Sequence, residues 1–249
     1  MEQNITDIIE ILKEHEQKFR DTERLAFKKF LKWYAHSNKI IQESKRNPNI
    51  ISMAFTTKLV AYSGIIESSK LSAGGNVIVC PTCKKALNVG SRKNFEEFFY
   101  LFDEHGKFLV MVAIRIGKSA LETSGKEQRE EKIVDAYLKN SSKDFNDIFE
   151  KTIASLYSLR SRLVHQGEFV LTIISSGDDA ILAHFSPNAE LMINEKVISL
   201  DEMFLRGFCK IVNVEAPSLK SRAEDFLLKN NYYHKTLEYS QLFEAKFNW

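Results

Sequence analysis

The stretch Tyr157-Ser-Leu-Arg-Ser-Arg-Leu-Val-His-Gln-Gly-Glu-Phe169 carries two arginines and a histidine at the end of an apolar helical pattern, with Gly167 close behind. These residue types can act on a phosphodiester. The unperturbed pKa of an imidazole lies close to neutrality, so His165 can take or give a proton. Near the C-terminus of a helix the macrodipole favours its imidazolium form. Arg160 and Arg162 hold a permanent charge and bind phosphate oxygens through paired hydrogen bonds. One histidine and one arginine suffice for RNA cleavage by 2′-hydroxyl attack. The base takes the 2′ proton, and the cation offsets the negative charge that builds on phosphorus. The chemistry requires no metal or other cofactor.

Spacing alone does not make such a site. At about 100° per residue, Arg160 and His165 stand about 140° apart, Arg162 and His165 about 60°, and Arg160 about 40° from Leu156 at the edge of the apolar face. Arginine and histidine are also favoured in a last helical turn simply by the dipole and the free carbonyls. Arg160 and His165 can cooperate if two such helices cross at an interface, each giving its polar end. That arrangement is a composite site in a homodimer built through the helix at 144–166.

The positioning elements follow from periodicity. Phe145, Ile148, Phe149, Thr152, Ile153, Leu156, Leu159 and Leu163 recur at three and four residues, which predicts the helix 144–166, opened by "NSSKD" and closed at Gly167. Upstream, Ile5, Ile8, Ile9 and Leu12 begin an apolar face that predicts helix over 5–46, broken at Asn47-Pro48-Asn49. A second helix spans about 50–70 and ends in "SAGGN"; residues 76–90 form a turn element. From Asn94 an aromatic-rich helix begins, with Gly106 as its point of division. "TSGKEQREEK" reads as a charged connection, followed by helix through "IVDAYLK".

Beyond residue 170 the period changes. "EFVLTIISS", "AILAHF" and "ELMINEKVI" are short, β-branched runs separated by "GDD" and "SPNA", which predicts small strands. A helix then opens at Ser199-Leu200-Asp201 and stops at Pro217, and the tail 218–249 is helical and aromatic. The expected architecture is mainly α: a helical bundle with a small β appendage. Its segments are an N-terminal helical extension at 1–49, a core at 50–170 with the turn insertion at 76–90, a β meander at 171–199, and C-terminal helices at 200–249.

Composition narrows the function classes. The 249 residues carry a formal net charge of only +2, so an anionic partner must be met by a local patch. No apolar run stands out as a membrane span, and the acidic, amphipathic N-terminus lacks the apolar segment of a signal peptide, which predicts a cytoplasmic protein without membrane contact. Three cysteines fit a reducing compartment better than a disulfide scaffold. Walker, dinucleotide, nucleophile-elbow and His-Glu-x-x-His motifs are absent from the sequence.

Two further stretches could bind something. Cys80-Pro-Thr-Cys83 has the form of a zinc knuckle, in which a turn aims two thiolates at one metal. A closed structural zinc site needs four ligands. Cys209 and His105 complete it only if the fold brings them in; a two-fold dimer could instead pool two pairs. The other reading is a β-turn with two unliganded thiols. "RLAFKKFLKWYAHSNK" interleaves Lys28, Lys29 and Lys32 with Trp33, a pattern able to meet an RNA backbone by charge and stacking. It is more often the pattern of an amphipathic helix whose lysines are solvated and whose aromatics pack inward.

"LYSLRSRLVHQGEF" resembles the signature helix of the HEPN superfamily, whose nuclease motif is Arg, four to six residues, then His. The likeness is to the Apea-like, abortive-infection-type branch, where Tyr157, Arg160, Ser161, Leu163, Val164 and His165 fall in the motif's places. Gly167 comes one residue late because Gln166 is inserted, and Ser161 stands where many active members carry Asn, Asp or His. "VAYSGIIESSK" resembles the first HEPN helix and would place Glu67 near the Arg–His pair, to orient it. The likeness covers roughly residues 50–170 and extends to the helix at 200–215.

The resemblance implies a HEPN-type bundle and a metal-independent endoribonuclease. Arg160 and His165 would be catalytic, with Tyr157, Ser161, Arg162 and Glu67 in support. It also implies cleavage of RNA in antiviral defence or toxin-like growth arrest, with a regulatory protein or phage component as trigger. The alternative is a HEPN-fold module that docks a protein or nucleotide without catalysis.

Overall fold

The computed structural model describes residues 2–43, 47–68, 91–117, 123–139, 142–165, 171–174, 181–186, 189–230 and 232–247. Described residues are mainly helical, with one four-stranded sheet. They group into two compact units that alternate along the sequence. The first holds residues 1–101, 160–169 and 200–216; the second holds 102–159, 170–199 and 217–249. This grouping differs from the expected succession of segments, because helices distant in sequence share each core. The turn insertion at 76–90 lies outside the described residues.

In the first unit, α1 (Glu2–His15) buries Ile5, Ile8, Ile9 and Leu12, the predicted stripe. The helix expected to run unbroken over 5–46 stops here. A short 3₁₀ turn (Glu16–Lys18) leads to buried Phe19, and α2 (Asp21–Glu43) starts afresh. Glu23 makes the new start: its carboxylate accepts from the Arg20 backbone N–H at 2.8 Å and from Arg20 Nε at 2.6 Å, capping the first turn. α3 (Pro48–Ser68), α4 (Ser91–Tyr100) and α8 (Leu200–Ile211) complete the unit with the end of α7 (Ser142–His165).

Aromatic rings hold these helices together. Phe30 of α2 stacks on Phe204 of α8 at 4.7 Å, and Phe27 on Phe208 at 5.6 Å. Phe98 of α4 lies over the same helix, 5.8 Å from the Phe204 ring. Gly207 makes that approach possible, since a Cβ there would run into the Phe98 ring. α8 ends at Asn213, whose φ of 55° is left-handed, with the Val214 N–H bonded back to the Cys209 carbonyl at 2.9 Å. This is a Schellman cap, and it ends the helix well before Pro217.

α3 contains one stretch, Asn49–Glu67, long and apolar enough by composition to cross a bilayer, contrary to the sequence expectation; half of it is buried within the protein. Lys58 of α3 is 3% exposed. Its Nζ donates to Asp201 Oδ2 at 2.6 Å and to Asn38 Oδ1 at 3.2 Å, and it lies over the rings of Phe55 and Tyr34. Tyr62, one turn on, donates to Asp201 Oδ1.

The expected single helix from Asn94 is three elements: α4, which belongs to the first unit, then α5 (Glu104–Ala113) and β1 (Ile114–Gly117), which belong to the second. The break falls at 101–103 rather than at Gly106. Asp103 caps α5 by accepting from the Gly106 N–H at 2.7 Å, and a Cβ at Gly106 would lie 2.8 Å from Phe102 Cδ1. β1 pairs with β4 (Ala189–Asn194), which pairs with β3 (Ile181–Ser186), which pairs with β2 (Leu171–Ile174), all antiparallel. The last three occupy the predicted runs. Ile114 faces Ile193 in register, both fully buried. α6 (Thr123–Leu138) absorbs the whole of the charged stretch read as a connection, since Lys, Glu, Gln and Arg are good helix formers.

α9 (Lys220–Lys229), α10 (Tyr233–Glu238) and α11 (Ser240–Phe247) close this unit. Phe108 stacks on Tyr137 at 4.0 Å, and Lys246 sits 4.3 Å above the Tyr137 ring while pairing with Glu104 at 2.8 Å. His105 Nδ1 is 2.6 Å from the Tyr137 hydroxyl. Burial raises the Tyr137 pKa, which keeps the phenol protonated and joined to the imidazole by a hydrogen bond. Burial also lowers the His105 pKa, against the opposing pull of Glu104 and Asp103.

Two tests follow from this packing. Gly207→Ala forces Phe98 to move and should lower stability by about 1–3 kcal/mol, seen as a reduced melting temperature. Because His105 holds its proton less tightly folded than unfolded, its contribution is complete above the unfolded pKa near 6.5 and is lost as pH falls below it. The midpoint of urea unfolding should therefore decline on acidification, and less steeply in His105→Gln.

Candidate functional site at the end of the Arg160 helix

The last turns of α7 carry the residues that could do chemistry. Leu156, Leu159 and Leu163 keep the apolar stripe buried to the end of the helix. This fixes the rotation of α7 and leaves Arg160 at the edge of that stripe, half-buried.

Arg160 is held by a carboxylate from far away in the chain. Its Nη2 donates to Glu67 Oε2 at 2.7 Å, with the two side chains 12% and 14% exposed. Glu67 lies in the last turn of α3, where backbone carbonyls point outward and the dipole disfavours an anion. The guanidinium offsets that penalty, and partial burial strengthens the attraction between them. The structure thus brings together Glu67 and Arg160, 93 residues apart. The pair fixes an arginine at a helix terminus, where it can meet an anion.

The other expected site residues are placed as follows. Ser161 is half-buried beside Arg160, and Tyr157 is half-buried one turn earlier. His165 is the final residue of α7; its side chain and that of Arg162 lie outside the described residues. Lys28, Lys29, Lys32 and Trp33 are on the exposed face of α2.

Cys80 and Cys83 lie outside the described residues. Their two candidate co-ligands are engaged elsewhere: His105 bonds to Tyr137, and Cys209 is fully buried in α8, where burial pushes its thiol up to about 12. Among the described residues no group of three or more His, Cys, Asp or Glu gathers in a metal-binding arrangement.

Periodicity does not single out the buried Lys58–Asp201–Tyr62 network. Its one sequence signal is a lone lysine inside an otherwise apolar helix, and the acidic partner is 143 residues away. The network lies among aromatic rings and serves the core.

Removing one member of the Glu67–Arg160 pair strands the other. Arg160→Ala should destabilise the protein by roughly 1–3 kcal/mol, below the value for a fully buried pair. The Glu67→Gln/Arg160→Ala double variant should lose less than the sum of the single variants by about 1 kcal/mol, measured by chemical denaturation. No protein-family model, curated protein or solved structure matches the chain.

Proposed function

We propose that this protein is a metal-independent endoribonuclease of the HEPN type. The observation that supports the reading is the Glu67–Arg160 ion pair, which joins the ends of two helices at the positions the resemblance singles out. In the proposed reaction His165 removes the 2′ proton and O2′ attacks the adjacent phosphorus. The P–O5′ bond breaks, leaving a 2′,3′-cyclic phosphate, and the departing O5′ takes up the proton that the histidine removed. Arg160, oriented by Glu67, stabilises the charge that builds on the phosphoryl oxygens. Atoms balance without water, and no cofactor enters the step.

The protein acts as a cytoplasmic homodimer in this reading, with two copies of α7 supplying two Arg160–His165 ends. The half-buried small residues Ala154, Ser155 and Ser161 leave room for a second helix. Two-fold association would also pool two Cys80–Cys83 pairs, the ligand count a structural zinc needs. The role is RNA cleavage in antiviral defence or growth arrest, released by a protein or phage trigger.

Incubation of the purified chain with RNA tests the proposal. Cleavage should give cyclic phosphate ends, persist in chelator, and fall by about 10²–10⁴-fold in His165→Ala and in Arg160→Ala. Equal cleavage by wild type and His165→Ala rejects it. Two sequence features favour a second reading, a HEPN-fold binding module without catalysis: Ser161 follows Arg160, and Gln166 displaces Gly167 by one position. RNA or nucleotide binding without turnover would select that reading.

A further inference from the structure

α2 has two faces of opposite character. Glu23, Ala26, Phe27, Phe30 and Ser37 are buried. Leu25, Lys28, Lys29, Lys32, Trp33, His36 and Lys39 are exposed. At about 100° per residue, those seven positions fall within about 140° of arc. They form one outward stripe that carries four lysines over about 16 Å of axis between Lys28 and Lys39.

No acidic residue occurs in the sequence between Glu23 and Glu43. Glu16 approaches Lys28 only to 3.9 Å, and Glu43 approaches Lys39 only to 3.7 Å. All four of these side chains except that of Glu16 are more than half exposed, so these contacts neutralise little of the stripe. Among the described residues Lys29 and Lys32 make no ion pair. The protein's net charge is only +2, so this is a local concentration of charge rather than a share of a global one.

Midway along the stripe, at one edge of its arc, an aromatic is also presented outward. Trp33 is 37% exposed, and its ring meets the His36 ring edge-on at 6.0 Å. The rest of α2 cannot easily turn this face inward. Asn38 is tied to Lys58 on α3, and Phe30 is stacked on Phe204 of α8.

We propose that the outward face of α2 binds single-stranded RNA, the lysines tracking the phosphate backbone and Trp33 stacking on a base. Spaced cations with an interleaved exposed aromatic match a polyanion whose charges are separated by flat rings. An anionic membrane fits less well. Leu25 and Trp33 are the only large apolar side chains on the stripe, too few for an inserting face. The surface is distinct from Arg160 and works with or without cleavage there. The proposal rests on the RNA reading for its choice of polyanion, and it is read by binding rather than turnover, so the two can fail separately.

The test uses full-length His165→Ala protein, to prevent cutting, and a short labelled oligouridylate followed by fluorescence anisotropy. Between about 50 and 200 mM salt, the slope of log affinity against log salt should be roughly −3 if all four lysines contact phosphate. Lys29→Ala/Lys32→Ala should reduce its magnitude by about 1.4. Trp33→Ala should weaken binding about five- to tenfold with the slope unchanged. These residues are exposed, and unchanged circular dichroism would verify folding. Vesicles of phosphatidylserine and phosphatidylcholine form the control arm. An unaltered slope in the double lysine variant overturns the proposal, as does vesicle binding without oligonucleotide binding.

Discussion

An ammonium group enclosed by aromatic rings is tolerable only where its charge is met, and Lys58 imposes that condition on the first unit. α3 is otherwise so apolar that hydrophobic burial alone would accept several rotations and shifts along its axis. Lys58 removes the freedom. It must meet Asp201 of α8 and Asn38 of α2 together, while Tyr62 takes the second oxygen of the same carboxylate. One polar knot thereby fixes three helices against one another. Asp201 suits the role, since it sits in the first turn of α8, where an anion is favoured. Glu67 is nine residues beyond Lys58, about 13 Å along the helix. The register set by the buried lysine therefore determines where the carboxylate that holds Arg160 stands.

Burial of rings and pairing of charges divide the work. The stacks of Phe27, Phe30, Phe204 and Phe208 supply apolar area, which is large in energy but weak in specifying geometry. The Lys58 and Glu67 pairs add less net energy and discriminate between alternatives, because any other register leaves a charge stranded. These are the only two charged residues in α3, and each has found a partner more than 90 residues away.

Local periodicity made some of this legible and not the rest. Ile5, Ile8, Ile9 and Leu12, and the run from Phe145 to Leu163, declare their helices because one face must be apolar whatever packs on it. β2, β3 and β4 are visible as β-branched runs between turn residues. β1 is not: "VMVAIRIG" continues the composition of α5 without a breaker, and it becomes a strand because Ile114 pairs with Ile193 of β4. The break before α2 depends on the Glu23 carboxylate, which periodicity ignores. The Glu67–Arg160 proximity is inaccessible to spacing, and only the family resemblance pointed to it. Lys58 was hidden because a pattern records where charges lie, not what they face.

The order in which the chain is made gives Lys58 a second consequence. At synthesis rates of about 5–20 residues per second, Asp201 emerges roughly 7–29 seconds after Lys58, which is 143 residues ahead of it. During that interval α3 is a nascent segment of adequate length and apolarity to be mistaken for a membrane anchor. A lysine near the middle of such a segment raises the free energy of insertion by about 2.5–3.5 kcal/mol. The residue that locks the core therefore also makes α3 a poorer partner for lipid than its length and apolarity alone would make it.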